Sequence, residues 1–381
     1  MNLFDVYSLW DIEPIKAEGC KVWDTKGTEY LDLYGGHAVI SIGHSHPHYV
    51  QALQEQVARL GFYSNSVQNS LQHELGEKLG ELSGYPDYSL FLCNSGAEAN
   101  ENALKLVSFH TRKRRVVAFR EAFHGRTSGA VAVTDNAAIQ APFNQGHEVT
   151  FLPLNNLEAV ERELCKEDTA AVLIEGIQGV AGIFVPDTVF LQGVRELCSR
   201  YETPLILDEI QSGYGRTGDF FAHQAAGIRP DIITTAKGMG NGFPIGGVLI
   251  SPNFEAKKGM LGTTFGGNHL ACAAAIAVLD VIKEEALMKN AREMGAYLTD
   301  KLSTIEGIGA IRGRGLMLGV TFRQQDATIR NELLSRHHIF TGGARNNVMR
   351  LLPPLSIGYG EADHFLAALQ ETLNRPGDTI S

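Results

Sequence analysis

Short apolar runs alternate with stretches of helical period through the middle of the chain. Residues 89–93, 116–119, 170–174, 205–207, 232–235 and 247–250 are each brief and rich in aliphatic or β-branched residues, as buried strands are. Between them, residues 97–109 and 189–201 repeat apolar positions at helical spacing, and 271–283 does so later. This alternation predicts an α/β fold with a mostly parallel central sheet flanked by helices. Residues 1–50 and 261–381 lack it. They are expected to form a smaller α+β domain from both chain ends, beside a large domain over 51–260. There is no internal repeat and no low-complexity linker.

Polar or glycine-rich segments succeed the apolar runs at their carboxyl ends. NSGAEAN comes after the first run, REAFHGRT after the second, EGIQG after the third, DEIQ after the fourth and AKGMG after the fifth. Open α/β sheets bind ligands outside the carboxyl ends of their strands, so these five ends point at one cleft. Ser95 and Glu98 have capping-box spacing, which starts a helix near Gly96; such a start suits a phosphate, or is simply a well-capped helix. Asp208 ends an apolar run and, if buried, needs a cation or strong donors. A protonated ring nitrogen is one suitable partner, and Gln211 is spaced to donate to an oxygen on the same ring. Phe123 is either core or a platform for a planar ring. Arg126 is a surface charge or a carboxylate clamp, and Arg350, among apolar neighbours, is expected to take a partner.

Lys237 sits between a β-branched run and a loop carrying Gly238, Gly240, Gly242, Gly246 and Gly247. One reading is a surface lysine at a turn. The other is an amine that condenses with an aldehyde, in bare backbone that leaves room for a planar group. Residues 213–218 match GxGxxG, but DEIQS separates them from the strand and no acidic residue lies at the distance a dinucleotide site needs.

Composition removes other classes. Hydrophobic residues are 44% and charged ones 20%, as in ordinary globular proteins. A net charge of −10 disfavours a nucleic-acid partner. The one basic run, Arg112 to Arg115, reads as a solvated helix end. Cys20, Cys93, Cys165, Cys198 and Cys272 are odd in number and lack CxxC spacing, so neither a disulfide framework nor a metal site is expected. The first residues carry no signal-peptide pattern, and no apolar run is long enough for a bilayer. A soluble, cytoplasmic protein with no membrane partner is the expectation.

The segments YLDLYGGHAVISIGHSHP, FLCNSGAEANENALKLV, FHGRT, LILDEIQSGYGRTG, TTAKGMGNGFPIGG, TTFGGNHLA, IRGRGLMLG and VMRLLPPL together resemble the fold-type I, class III pyridoxal-phosphate aminotransferases. Within that class they are similar to the acetylornithine and succinylornithine aminotransferases. The resemblance covers nearly the whole chain, and DEIQ-x-G-x-GRTG followed by the AKG lysine is its most specific part. It implies pyridoxal 5'-phosphate as cofactor and a homodimer with active sites at the subunit interface. It implies transfer of the terminal amino group of N2-acetylornithine or N2-succinylornithine to 2-oxoglutarate, giving a semialdehyde and glutamate, in arginine biosynthesis. The alternative is another class III ω-aminotransferase, acting on ornithine or γ-aminobutyrate, or an aminomutase.

Carried onto this chain, the resemblance makes Lys237 the Schiff-base lysine and proton carrier, with Asp208 at the ring nitrogen and Gln211 at the ring hydroxyl. Phe123 stacks on the ring. Gly96 and Ala97 hold the phosphate, and Thr264 reaches it from the other subunit. Arg126 and Arg350 bind substrate carboxylates, with Thr263 and His37 near the substrate. The chain departs from the family at three places. EGIQGVAG puts Val180 where relatives commonly have a glutamate that pairs with the counterpart of Arg350. His37 stands in place of an aliphatic residue, and His269 in place of the proline of GGNPLA. The first two changes would suit an extra carboxylate, as on an N-succinyl group.

Overall fold

The computed structural model describes residues 1–323 and 326–374, so the last residues of the expected 261–381 unit lie outside it. Seven strands form the central sheet, in the spatial order Ser89–Cys93, Gly246–Ile250, Ile232–Thr235, Leu205–Asp208, Thr169–Glu175, Arg115–Phe119, Val149–Leu152. The Gly246–Ile250 strand runs antiparallel to both neighbours, and the other pairings are parallel. All six expected strands are present. The seventh, Val149–Leu152, lies at the sheet edge, is only partly buried, and carries no long apolar run to mark it in the sequence.

The strand pattern explains why helices cover both faces. In Thr169–Glu175 every residue is buried, with Val172 and Ile174 in one apolar cluster and Ala171 and Leu173 in another. Successive side chains of a strand point to opposite faces, so a continuous apolar run demands cover on each. The Thr188–Arg200 helix supplies Phe190, Leu191, Val194 and Leu197 to the first cluster. The Gly96–Thr111 helix supplies Ala99, Ala103, Leu106 and Val107 to the second.

The chain ends form two further sheets. Pro14–Glu18, Lys21–Asp24 and Glu29–Asp32 make an antiparallel meander whose last strand pairs in parallel with Ile339–Phe340. Ile308–Arg314, Met317–Phe322, Val348–Leu351 and Gly342–Ala344 make an antiparallel sheet. The helix expected at 271–283 spans His269–Glu284, is buried over most of its length, and packs against Pro47–Arg59 and Ser70–Ser83. The basic run divides differently from expectation. The Gly96–Thr111 helix ends before it, and Arg115 opens a strand and pairs with Glu163 and Asp168.

The glycines of the GxGxxG stretch are structural. Gly215 and Gly218 adopt φ of +81° and +95°, which glycine tolerates, and the turn they make delivers Arg216 into the interior. Arg216 donates from Nη1 to the carbonyls of Leu316 (3.2 Å) and Pro353, and from Nη2 to that of Ile40 (3.3 Å). Burial pushes its guanidinium down to about 10, but the charge is still held at neutral pH. One side chain thus ties the central sheet to both chain ends. Arg216→Met should lower stability by at least about 2 kcal/mol, since each orphaned buried acceptor costs roughly 1–3 kcal/mol. Urea unfolding checks this, and an unchanged midpoint would remove Arg216 from the account.

Candidate active site

The expected cleft lies at the carboxyl edge of the central sheet and encloses about 370 Å³. Gly96, Ala97, Phe123, Arg126, Asp208, Gln211 and Lys237 all line it. Because Gly246–Ile250 is antiparallel, the loop from Lys237 to Ile245 stays at this edge, and Gly242, Phe243, Pro244 and Ile245 add to the wall.

The Gly96–Thr111 helix starts at the cleft. Ser95 Oγ accepts from the N–H of Glu98 at 3.2 Å, as the capping spacing predicts. The Glu98 carboxylate instead accepts from the N–H (2.6 Å) and Nδ2 (2.9 Å) of Asn94. The first amides of the helix are therefore left for an anion. A β-carbon on Gly96 would lie 2.8 Å from the Ile210 side chain, so the close approach expected there is one that Ile210, another cleft residue, requires.

Asp208 ends its strand buried, and donors meet it on both oxygens. Oδ2 accepts from Asn100 Nδ2 (2.8 Å) and lies 2.7 Å from His124 Nδ1, while Oδ1 accepts from the N–H of Ile210 at 3.0 Å. Lys237 opens a single 3-10 turn with φ of +42°. Burial lowers its amine from the usual lysine value, with Asp208 and Glu175 opposing and Arg350 adding to the fall. Among the described residues no carboxylate forms an ion pair with Nζ. A less basic, unpaired amine is the form that attacks a carbonyl or accepts a proton.

The glycines after Lys237 do something other than leave space. A β-carbon on Gly240 would collide with the carbonyl of Phe243, and one on Gly246 would lie 2.6 Å from that of Ser95. They let the loop fold tightly and let the Ser95 turn pack against it. Gly242 alone of these glycines lines the cleft. The loop is pinned from the N-terminal side: Ser41 Oγ donates to Gly238 O and Tyr49 Oη to Gly240 O, both at 2.8 Å. Asn241 Oδ1 accepts from the N–H groups of Ser41 and Ile42.

Other expected residues stand further off. Arg350 is buried beside the cleft, donates from Nη1 to Gly179 O at 3.4 Å, and forms no ion pair among the described residues. Its partner is thus a backbone carbonyl and, among the described residues, no acid, and Val180 lines the cleft with no charge to offer. The His37 ring bonds Tyr34 Oη, and its carbonyl accepts from Gln211 Nε2 at 3.2 Å. Desolvation, then the cations Arg350 and Lys237, push His37 down to about 4, so it is neutral at physiological pH. Thr263 Oγ1 accepts from Asn94 Nδ2 at 3.2 Å, next to the helix start. Thr264 is exposed, and neither threonine lines the cleft of its own chain.

Sequence reasoning missed His124, Glu175 and Ile210. Glu175 ends a buried strand as Asp208 does, so the same signal marks it. Its carboxylate accepts from the N–H groups of Phe123 (2.9 Å) and Gly179 (3.0 Å), which fixes the Phe123 segment and the 175–182 turn. Three polar atoms here, Gln211 Oε1, His124 Nε2 and Arg350 Nε, are buried without a partner. An anion cradle, a buried carboxylate, an unpaired amine and orphaned polar atoms fit a planar, anionic cofactor with a ring nitrogen and a carbonyl.

Burial pushes Glu175 up to about 7, with His124 opposing and Asp208 reinforcing. The folded apoprotein thus holds a proton that the unfolded chain releases near the usual glutamate value of 4.5. This stabilisation is complete at low pH and lost as pH rises through about 7. Glu175→Gln cannot ionise, so the apoprotein variant should lose less melting temperature between about pH 5 and 8. The hydrogen bond that glutamine cannot accept costs the same at every pH, so the slope is diagnostic. Parallel pH profiles would refute the assignment.

The sequence model of the family described as aminotransferase class-III matches residues 7–373. An acetylornithine aminotransferase of Methanosarcina mazei is 40% identical over 360 residues, covering 93% of this chain and 90% of its own. A succinylornithine transaminase of Photorhabdus laumondii is 39% identical over 380 residues, covering 95% and 93%. Among solved structures, an ornithine aminotransferase of Toxoplasma gondii, reported with partial occupancy of PLP at its active site, superposes with a TM-score of 0.88 at 31% identity. That match covers 96% of this chain and 91% of the other. The chain belongs to the class III aminotransferases and is a pyridoxal-phosphate-dependent transaminase of α/β, fold-type I architecture.

Proposed function

We propose that the protein transfers the terminal amino group of an N2-acylated ornithine, N2-acetylornithine or N2-succinylornithine, to 2-oxoglutarate in arginine biosynthesis. The names of the Methanosarcina and Photorhabdus relatives support this substrate class. The observation that carries it is that an unpaired, burial-depressed lysine amine shares one cleft with a buried carboxylate and Arg126, with Arg350 buried beside it and bound only to a backbone carbonyl among the described residues.

Bound here, pyridoxal phosphate supplies an aldehyde for the amine and an electron-drawing ring. Gly96 and Ala97 hold its phosphate at the helix start, Phe123 packs on its ring, Asp208 keeps the ring nitrogen protonated and Gln211 meets the ring hydroxyl. Lys237 Nζ carries the proton that leaves the substrate carbon bearing the amine. Arg126 and Arg350 hold carboxylates, with Thr263 and His37 beside the substrate. Both half-reactions use these groups in turn, so the kinetics should be ping-pong.

The working unit in this reading is a homodimer. Leu3, Phe4, Val6, Tyr7 and Leu9 are exposed on an N-terminal segment without regular structure, and Phe62, Tyr63, Val67 and Phe265 are exposed too. Phe62 and Phe265 pack ring to ring at 5.4 Å. So much apolar surface calls for a partner. Phe265 directly follows Thr264, which has no place in its own cleft and is assigned to the phosphate of the other subunit. A cytoplasmic location belongs to the same reading, and no helix of the described residues is long and apolar enough to cross a membrane.

Steady-state assays with 2-oxoglutarate should give parallel double-reciprocal lines for an N2-acylornithine, with ornithine and γ-aminobutyrate poorer donors. Lys237→Ala should cut turnover by at least about a hundredfold and leave cofactor that gel filtration removes. Normal turnover in that variant would refute the assignment. Mixed dimers of Lys237→Ala and Thr264→Ala subunits keep one intact site if Thr264 acts across the interface, so mixing should restore activity that neither parent has. No recovery would place Thr264 elsewhere.

A further inference from the structure

Asn100 lies on the Gly96–Thr111 helix, just over one turn from the proposed phosphate cradle, and is completely buried. Its Nδ2 donates to Asp208 Oδ2 at 2.8 Å and to the carbonyl of His124 at 2.7 Å. Its Oδ1 accepts from Thr234 Oγ1 at 2.7 Å. Thr234 stands on the neighbouring strand, in direct register with Asp208.

The chemistry of these partners allows one arrangement. The His124 carbonyl accepts only, and so does an ionised Asp208 carboxylate. The amide must therefore turn its NH2 toward both, because the opposite flip would set its oxygen against two acceptors. Oδ1 then faces Thr234, whose hydroxyl has to donate. Asp208 Oδ2 takes the Asn100 N–H while His124 Nδ1 meets it at 2.7 Å, and the Ile210 N–H holds Oδ1. Every hydrogen bond around the carboxylate thus has one direction, and the rotation of its plane is set.

We propose that Asn100, locked by Thr234, is a positioning residue for the transamination. It fixes the carboxylate plane of Asp208 and so the alignment of Asp208 with the cofactor's ring nitrogen. Because Asn100 rides on the helix whose first amides meet the phosphate, that helix sets the spacing between the phosphate and ring-nitrogen anchors. The inference rests on the pyridoxal-phosphate reading of the cleft and adds to it a residue that touches neither cofactor nor substrate.

The test uses the holoenzyme carrying cofactor isotope-labelled at the ring nitrogen, read by nitrogen NMR, with cofactor affinity measured in parallel. Thr234→Val removes the hydroxyl at nearly constant volume, leaves Asn100 Oδ1 buried without a donor and so releases the third contact that holds the amide in place against Asp208. The ring-nitrogen resonance should move from the protonated toward the neutral position, and cofactor affinity should fall roughly tenfold, as expected for an orphaned buried group. Thr234→Ser restores the donor and should return both readouts to within about twofold of wild type. Asn100→Ala should repeat the Thr234→Val shift. If Asn100→Ala does not fold, the Val and Ser pair decides alone. A Thr234→Val enzyme with lowered melting temperature but unchanged resonance and affinity would make the network merely structural and overturn the proposal. A wild type with no cofactor signal would instead overturn the reading of the cleft itself.

Discussion

Burying the carboxylate of Asp208 at the end of a central strand is the constraint on which the rest of the site depends. An uncompensated buried charge costs several kcal/mol, on the order of a domain's whole stability. The chain answers with Asn100 from a helix, itself held by Thr234 from the strand alongside, with His124 from the loop after another strand, and with the backbone of Ile210. Each comes from a different element, so the carboxylate is satisfied only when helix, loop and sheet are all in place. The same convergence brings the helix amides, Phe123 and Lys237 to one cleft.

Around that centre the structure uses backbone where side chains would obstruct. Gly240 and Gly246 let the loop after Lys237 fold against itself and against the Ser95 turn, and Ser41, Tyr49 and Asn241 pin it from outside. The lysine therefore projects from a rigid turn, and its amine is tuned mainly by desolvation. Arg350 and His37 form a second group at the margin, one a cation with no paired acid among the described residues and the other an imidazole held neutral. That pairing differs from the pattern the sequence resembles, and the acyl preference of the enzyme is where it should be felt.

Much of this was legible in the sequence, for a physical reason. Strands buried on both faces read as unbroken apolar runs, so the six strands and the five loaded carboxyl ends stood out, and with them Gly96, Phe123, Asp208 and Lys237. The Val149–Leu152 edge strand lacked that signal because it is only partly buried. The antiparallel direction of Gly246–Ile250 is a tertiary pairing that no local pattern encodes. Asn100 and His124 were hidden because an amide or imidazole acts here through three-dimensional neighbours, and nothing in the spacing says which carboxylate it meets. The glycines were seen, but the backbone contacts that demand them were not. Thr263 and Thr264 remain outside the cleft of their own chain, and their assigned roles depend on the proposed second subunit.

The central claim is that the cleft around Lys237 takes its amino group from the terminal amine of an acylated ornithine. Rapid mixing of the pyridoxal-phosphate-loaded enzyme with single amines, without any oxoacid, tests it most directly. The account predicts that N2-acetylornithine or N2-succinylornithine abolishes the cofactor's visible absorption at least as fast as turnover, and that 2-oxoglutarate restores it. An absorption band that persists with both acylated ornithines, or that only ornithine or γ-aminobutyrate abolishes, would contradict the account.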